Sequence, residues 1–88
     1  MKKYYVYIIL CGDKTYYTGY TDDIEKRLKK HKSNQGAKYT KGRGPLELVY
    51  TEQMDTKSSA LKREYEIKKL TKSRKEELVN DYNERNKK

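Results

Sequence analysis

Residues 4–31 read YYVYIILCGDKTYYTGYTDDIEKRLKKH, and the fold is predicted outward from this stretch. Tyr4–Leu10 is a run of β-branched and aromatic residues, which is typical of a strand. Cys11–Lys14 contains turn-forming residues, and Tyr16–Tyr20 is typical of a returning strand. The two runs are therefore predicted to form the arms of one β-hairpin.

The two faces of this hairpin decide which side chains meet. Alternation separates the residues of the first strand into two sets, with Tyr5, Tyr7 and Ile9 on one face and Tyr4, Val6, Ile8 and Leu10 on the other. Tyr17 lies on the face of Tyr7 if the connecting loop has an odd number of residues, because a one-residue slip moves a side chain to the opposite face. Gly19 indicates either a bulge that ends the hairpin or a close approach to the backbone.

A basic helix is predicted next, from about Asp22 or Asp23 to about Lys32, with Asp22 and Glu25 spaced as in a capping box. Ile24 must face the core.

This helix also turns two polar side chains inward. At about 100° per residue, Arg27 and His31 fall on the same half of the helix as Leu28, whereas the lysines point to solvent: Lys26, Lys29 and Lys30. Either this is a structural ion pair and a satisfied buried histidine, or the two residues act together beside the strand tyrosines.

The segment 33–44 has three glycines and no acidic residue. Its basic and aromatic members are Lys38, Tyr39, Lys41 and Arg43. It is either a flexible solvated loop or a segment that follows a phosphate backbone while its tyrosine stacks on a base.

The remaining residues predict a strand and two helices. The strand is Leu46–Thr51, and alternation places Leu46, Leu48 and Tyr50 on one face. A helix from about Thr56 to Leu70 follows. The last helix begins near Ser73, which forms a second capping-box pattern with Glu76, and its apolar positions are Leu78, Val79 and Tyr82.

One acidic residue of the second helix falls on its inner arc. Ala60, Leu61 and Ile67 mark that arc, and Glu64 lies within it. A buried carboxylate costs several kcal/mol unless it is paired or bound to a cation. Glu64 is therefore predicted either to pair with Arg27 or Lys68 or to bind a metal ion.

Composition indicates a small basic domain. Of 88 residues, 22 are Lys or Arg and 13 are Asp or Glu, which gives a net charge of +9. This charge either attracts polyanions or only keeps a lysine-rich surface solvated. Residues 1–82 are predicted to form one domain and 83–88 a frayed basic tail. The single cysteine, and the lack of a signal-peptide or membrane-spanning pattern, predict a cytoplasmic protein.

Several kinds of chemistry are excluded by the residues available. With one His and one Cys, no Ser-His-Asp or Cys-His constellation is expected, and no His/Cys cluster that would suit zinc. Glycoside hydrolysis needs two placed carboxylates, and only one is placed inside. Tyrosine, arginine, histidine and one glutamate suit phosphodiester hydrolysis, since Mg²⁺ can bind through a single carboxylate, water and phosphate oxygens.

The order and spacing of these residues resemble the GIY-YIG endonuclease superfamily, and most closely its small stand-alone bacterial members. The resemblance rests on Tyr5-Val6-Tyr7, on Tyr17-Thr18-Gly19, on Arg27 with His31, and on Glu64. It implies an α+β fold, with a three-stranded antiparallel sheet flanked by three helices, and divalent-metal-dependent DNA cleavage.

The resemblance also implies a role for each matching position. Tyr7 and Tyr17 match the motif tyrosines, Gly19 the motif glycine, and Arg27 the arginine that contacts phosphate. His31 matches a polar helix position, and Glu64 matches the metal-binding glutamate. The sequence departs from the motifs at two positions: Tyr5 replaces a glycine and Thr18 an isoleucine.

The expected function is a DNA endonuclease of low sequence specificity that uses Mg²⁺ or Mn²⁺. Its catalytic residues are predicted to be Tyr7, Tyr17, Arg27 and His31, with Glu64 on the metal. Backbone contacts to duplex, single-stranded or branched DNA, or to RNA, are predicted for Lys26, Lys30, Lys38, Tyr39, Lys41, Arg43 and Lys68. A monomer targeted by a protein partner is expected; a non-catalytic nucleic-acid-binding module and a protein adaptor are the alternatives.

Overall fold

The computed structural model describes residues 3–32 and 44–86. The elements follow in the order β1 (Tyr4–Leu10), β2 (Tyr16–Thr21), α1 (Ile24–Lys32), β3 (Glu47–Met54), α2 (Lys57–Lys68) and α3 (Lys72–Arg85). The strands form one antiparallel sheet in the order β2-β1-β3. The predicted α+β architecture is confirmed. None of the helices in the described ranges is long and apolar enough to cross a membrane.

The central strand β1 is buried on both faces. Val6 and Ile8 pack toward α2 and α3, in a cluster with Ala60, Ile67 and Val79. Tyr7 and Ile9 pack on the other face, toward Ile24 and Leu28 of α1. The alternation predicted for this strand is confirmed, and it divides the small core into two layers.

The hairpin loop between β1 and β2 spans residues 11–15, an odd number, and Ile9 pairs with Tyr17. Tyr17 therefore lies on the face of Tyr7, as the condition on the loop required.

Strand β3 corrects one prediction about its faces. Leu46 and Leu48 contact the layer under α1, but Tyr50 belongs to the layer under α2 and α3. The cause is a bulge: Ile8 pairs with Tyr50 and Ile9 with Leu48, so that Val49 is an extra residue in the ladder. The alternation is shifted there by one position.

The start of α1 also differs from the prediction. The carboxylate of Asp23, not that of Asp22, accepts the backbone N–H of Lys26 at 3.1 Å. Asp23 is itself fixed, because its N–H donates to Thr21 Oγ1 at 3.1 Å. The N-cap is therefore Asp23, one residue after the Asp22 that the predicted capping box placed there.

The starts of α2 and α3 are both set by threonine. Thr56 Oγ1 accepts the N–H of Ser59, and Thr71 Oγ1 accepts the N–H of Arg74 at 3.3 Å. The capping box predicted for Ser73 was wrong, because the helix begins one residue earlier and Ser73 lies within its first turn.

The faces of α2 and α3 are mostly as expected. Ala60 and Ile67 are fully buried, but Leu61 is 41% exposed, so its predicted place on the inner arc was wrong. Arg63 is partly buried and donates to Glu52 at 2.8 Å. The apolar positions of α3 pack as predicted, with Leu78, Val79 and Tyr82 in the core cluster. The helix continues to Arg85.

Candidate active site

The hydroxyl of Tyr7 is the centre of the candidate active site. Tyr7 lies on the central strand and is only 2% exposed. Its Oη is 2.9 Å from Nε2 of His31, and it accepts a hydrogen bond from Nε of Arg27 at 3.3 Å. Arg27 and His31 are one turn apart on α1, so both reach the same hydroxyl. The inward placement predicted for both residues is observed.

Gly19 makes room for this hydroxyl. It faces Tyr7 across the β1–β2 ladder, which runs without a shift at this point. A Cβ at Gly19 would lie 2.7 Å from Tyr7 Oη and 2.9 Å from its Cζ. Of the two interpretations of this glycine, the close approach is therefore the one found, and the approaching group is a side chain.

Tyr17 completes an aromatic cluster around His31. Its ring centroid is 5.3 Å from that of His31 and 6.3 Å from that of Tyr7. Tyr17 is half-buried, so it bridges the buried histidine and the surface.

Burial sets the charge state of His31. Its side chain is fully buried, and burial, assisted by the nearby Arg27 guanidinium, lowers the pKa of His31 below its ordinary value. The imidazole is therefore neutral at pH 7 and can accept one hydrogen bond. Arg27 can only donate to Tyr7 Oη, and in the tautomer that leaves Nε2 of His31 unprotonated the O–H of Tyr7 donates to that nitrogen.

The same surroundings hold Tyr7 in its protonated form. Burial is the main cause that raises the pKa of Tyr7 to about 12, against the opposing effect of the hydrogen bond from Arg27. The negative charge of Glu64 raises this pKa further. Conversely, the hydrogen bond to Tyr7 raises the pKa of Arg27. Tyr7 is thus a phenol at neutral pH rather than a phenolate.

Glu64 approaches this centre from α2. Its side chain is 16% exposed and lies 3.7 Å from Nζ of Lys68. The ion pair with Lys68 is therefore present, although its length leaves the carboxylate loosely held.

The donor set fits a weakly caged divalent cation. Within residues 3–32 and 44–86, no group of three His, Cys, Asp or Glu could hold a metal ion. Mg²⁺ and Mn²⁺ accept one carboxylate together with water and phosphate oxygens, so Glu64 suits such an ion.

The predicted nucleic-acid contacts divide into two groups. Lys26 and Lys30 are exposed on the outer side of α1, and Lys68 is exposed beside Glu64. The others, Lys38, Tyr39, Lys41 and Arg43, lie outside the described residues.

A cleft beside this centre contains a residue that was not among the predicted site residues, Lys57. Arg27 lines it together with Lys57 of α2. Lys57 could have been found from its spacing, because it precedes Glu64 by seven residues and therefore lies two turns away on the same side of α2.

The catalytic-domain model of the GIY-YIG family matches residues 3–78. The chain belongs to this family, a family of nucleases. The chain is 57% identical over 81 residues to the UPF0213 protein of Staphylococcus saprophyticus, and the matched region covers 92% of this chain and 99% of that protein. A UPF0213 protein of Natronomonas pharaonis is 54% identical over 78 residues, 89% of this chain and 92% of the relative.

Two solved structures match as well. The solution NMR structure of a UPF0213 protein from Bacillus halodurans has a TM-score of 0.58 and 51% identity, over 89% of this chain and 83% of that one. A solution NMR structure of a protein from E. faecalis has a TM-score of 0.63 and 40% identity, over 93% and 88%. The family inferred from the motifs is confirmed.

Proposed function

We propose that the protein is a divalent-metal-dependent endonuclease that hydrolyses DNA phosphodiester bonds with little sequence specificity. The observation that carries the proposal is the hydroxyl of Tyr7, which accepts a hydrogen bond from Arg27 and lies 2.9 Å from His31 Nε2. A buried chain of this kind orients a proton, which hydrolysis by water requires. Membership of the GIY-YIG family supports the same reaction class.

The proton would pass through Tyr7 to His31. A water that attacks phosphorus would give a proton to Tyr7 Oη while the phenolic proton moves to His31 Nε2. The new bond would join the water oxygen to phosphorus, and the bond from phosphorus to the leaving oxygen would break, with the leaving oxygen taking a proton from a solvent water. Because the two transfers occur together, no free phenolate is needed, although the pKa of Tyr7 is raised to about 12. His31 would act through Tyr7, because its Nε2 lies 2.9 Å from Tyr7 Oη.

Arg27 and Glu64 would supply the charges around the phosphate. The Arg27 guanidinium would bind a phosphate oxygen and stabilise the charge that develops there. Glu64 would hold Mg²⁺ or Mn²⁺, which when bound neutralises phosphate charge. Tyr17 would position the phosphate, and exposed Lys26, Lys30 and Lys68 would contact the backbone without reading sequence.

A cleavage assay tests this proposal. Wild-type protein is incubated with labelled single-stranded, duplex and branched DNA, and with RNA, in Mg²⁺, Mn²⁺ or EDTA. We expect cleavage that EDTA abolishes and that Glu64→Gln lowers roughly 100-fold or more. Glu66→Gln is the matched control, because Glu66 is an exposed carboxylate on the same helix, paired only loosely with Arg63 at 3.4 Å. Cleavage by Glu64→Gln at the wild-type rate would contradict the proposal.

A non-catalytic nucleic-acid-binding module is the second candidate. It is favoured by two observations. Lys68 pairs with the carboxylate of Glu64 that would hold a metal ion, and Tyr7 is protonated and so is not itself a base at neutral pH. It predicts salt-sensitive binding by wild type and Glu64→Gln alike, with no cleavage in any metal.

A further inference from the structure

A polar cleft of about 460 Å³ opens beside the candidate active site. Its walls come from the start of β1, the end of β2 with the residue after it, the middle of α1, and the start of α2; they comprise Tyr4, Tyr20, Thr21, Asp22, Arg27 and Lys57. The volume falls within the range of about 300–1,000 Å³ that is usual for small-ligand sites. Arg27 is common to the cleft and to the hydrogen-bonded centre, so whatever fills the cleft adjoins the phosphate that Arg27 would hold.

Two tyrosine rings form the aromatic part of this cleft. Tyr20 pairs with Val6, and Tyr4 lies two residues before Val6 on the same face of the sheet, so the two tyrosines are neighbours there. Both are only partly buried. Partly open aromatic rings are the groups on which nucleobases stack.

The charges of the cleft suit a segment of phosphate backbone. Arg27 and Lys57 are positive and Asp22 is negative, which leaves an excess of one positive charge. Lys57 precedes Glu64 by seven residues, about 10 Å along the helix axis at about 1.5 Å per residue. A nucleic-acid strand advances about 3.4 Å per nucleotide in a duplex, so Lys57 would meet a phosphate a few nucleotides from the one at Glu64.

We propose that this cleft is a nucleotide subsite, in which a base beside the scissile phosphate stacks on Tyr20 and Tyr4 while Lys57 binds a further phosphate of the same strand. The subsite rests on the proposed nuclease function, since that function places a strand at Arg27. It adds a base-binding element to a site whose other contacts are to phosphate.

The experiment separates base binding from phosphate binding. Dissociation constants are measured in EDTA, where cleavage is prevented, for two labelled 12-mers: oligothymidylate and a chain of abasic tetrahydrofuran units with the same phosphates. Wild-type protein is expected to prefer oligothymidylate. Tyr20→Leu is expected to bind it at least about 5-fold more weakly and to bind the abasic chain as wild type does, because only the stacked base is lost. Tyr20→Phe keeps the ring and should keep the preference.

Lys57 is tested by the salt dependence of the same binding. Lys57→Gln should weaken both 12-mers and reduce the slope of log K against log salt by about 0.7, the value for one phosphate contact on a single strand. The chain offers matched controls. Lys72 follows the N-cap Thr71 as Lys57 follows Thr56, but lines a different cleft together with Tyr16. Lys72→Gln and Tyr16→Leu should leave the slope and the base preference unchanged.

The outcomes distinguish this inference from the function on which it rests. An unchanged base preference in Tyr20→Leu, or its loss in Tyr20→Phe, would overturn the subsite, as would equal slopes for Lys57→Gln and Lys72→Gln. A base preference that depends on Tyr20, found in a protein that cleaves nothing in Mg²⁺ or Mn²⁺, would support the subsite and overturn the nuclease.

Discussion

Tyr7 serves the core and the candidate site at the same time. Its ring is packed in the layer under α1, and its hydroxyl is the meeting point of Arg27 and His31. A phenylalanine at this position would keep the packing and lose the hydrogen-bonding group that Arg27 and His31 contact. The residues of the site are thus held by the packing that holds the fold.

His31 should make the stability of the protein sensitive to mild acid. Burial and Arg27 lower its pKa in the folded state, whereas the unfolded chain has a pKa of about 6.5. The unfolded state therefore binds more protons below about pH 6.5, so the free energy of unfolding should fall as the pH drops through that value and level off below the pKa of the folded state.

Urea denaturation at pH 8 and pH 5 measures this effect. His31 is the only histidine in the chain, so His31→Gln should show a smaller loss of unfolding free energy between the two pH values than wild type does. The same loss in both proteins would show that His31 is not the group responsible.

At the scale of elements, side-chain oxygens before each helix set where it begins. Asp23, Thr56 and Thr71 each accept a backbone N–H from the first turn. Helix α2 is amphipathic only in part, since Leu61 is exposed and Arg63 is partly buried. The cap therefore defines the start of a helix whose apolar pattern is weak.

Removal of the α3 cap should destabilise the fold. Thr71→Ala leaves the N–H of Arg74 without its partner and is expected to lower the free energy of unfolding by about 1 kcal/mol. For a domain of this size, this corresponds to a fall in Tm of roughly 4–8 °C. Ser73→Ala is the control, because Ser73 lies within the first turn of α3; an equal effect of both changes would contradict the assignment of the cap.

Elements that depend on local pattern could be predicted from the sequence, and those that depend on a partner could not. Strand β1 and the inward turn of Arg27 and His31 follow from alternation and from helical spacing. The bulge at Val49 arises from how β3 pairs with β1, which lies some forty residues away, so the position of Tyr50 could not be deduced from β3 itself. The cleft that contains Lys57 has the same origin, because four separate segments form it.

At the scale of the whole molecule, charge outweighs apolar content. Hydrophobic residues make up 33% of the chain and charged residues 40%, with a net charge of +9. The apolar residues suffice because one central strand is covered on both faces, so few side chains complete two layers. The remaining surface is free to act as a cationic one.

Binding to duplex DNA should therefore depend steeply on salt. In EDTA, a protein that contacts four phosphates should lose about 100-fold in affinity when salt rises from 50 to 200 mM. Each contact contributes about −0.9 to the slope of log K against log salt. Lys26→Gln should reduce the magnitude of the slope by about 0.9 if Lys26, exposed on α1, contacts the backbone. A slope near zero in titrations of wild-type protein would exclude electrostatic binding and favour the adaptor.

The bulge of β3 also limits how the length of the chain can vary. Val49 is the extra residue of the ladder, so a chain without it would pair Leu48 and Tyr50 with the same partners on β1 in unbroken alternation. The same deletion in β2, where the pairing is continuous, would exchange the environments of Tyr17 and Thr18 and remove Gly19 from beneath the hydroxyl of Tyr7. Deletion of Val49 would therefore keep the pairing of β3 with β1 but remove a buried side chain of the core, whereas a one-residue deletion in β2 would disrupt the candidate site.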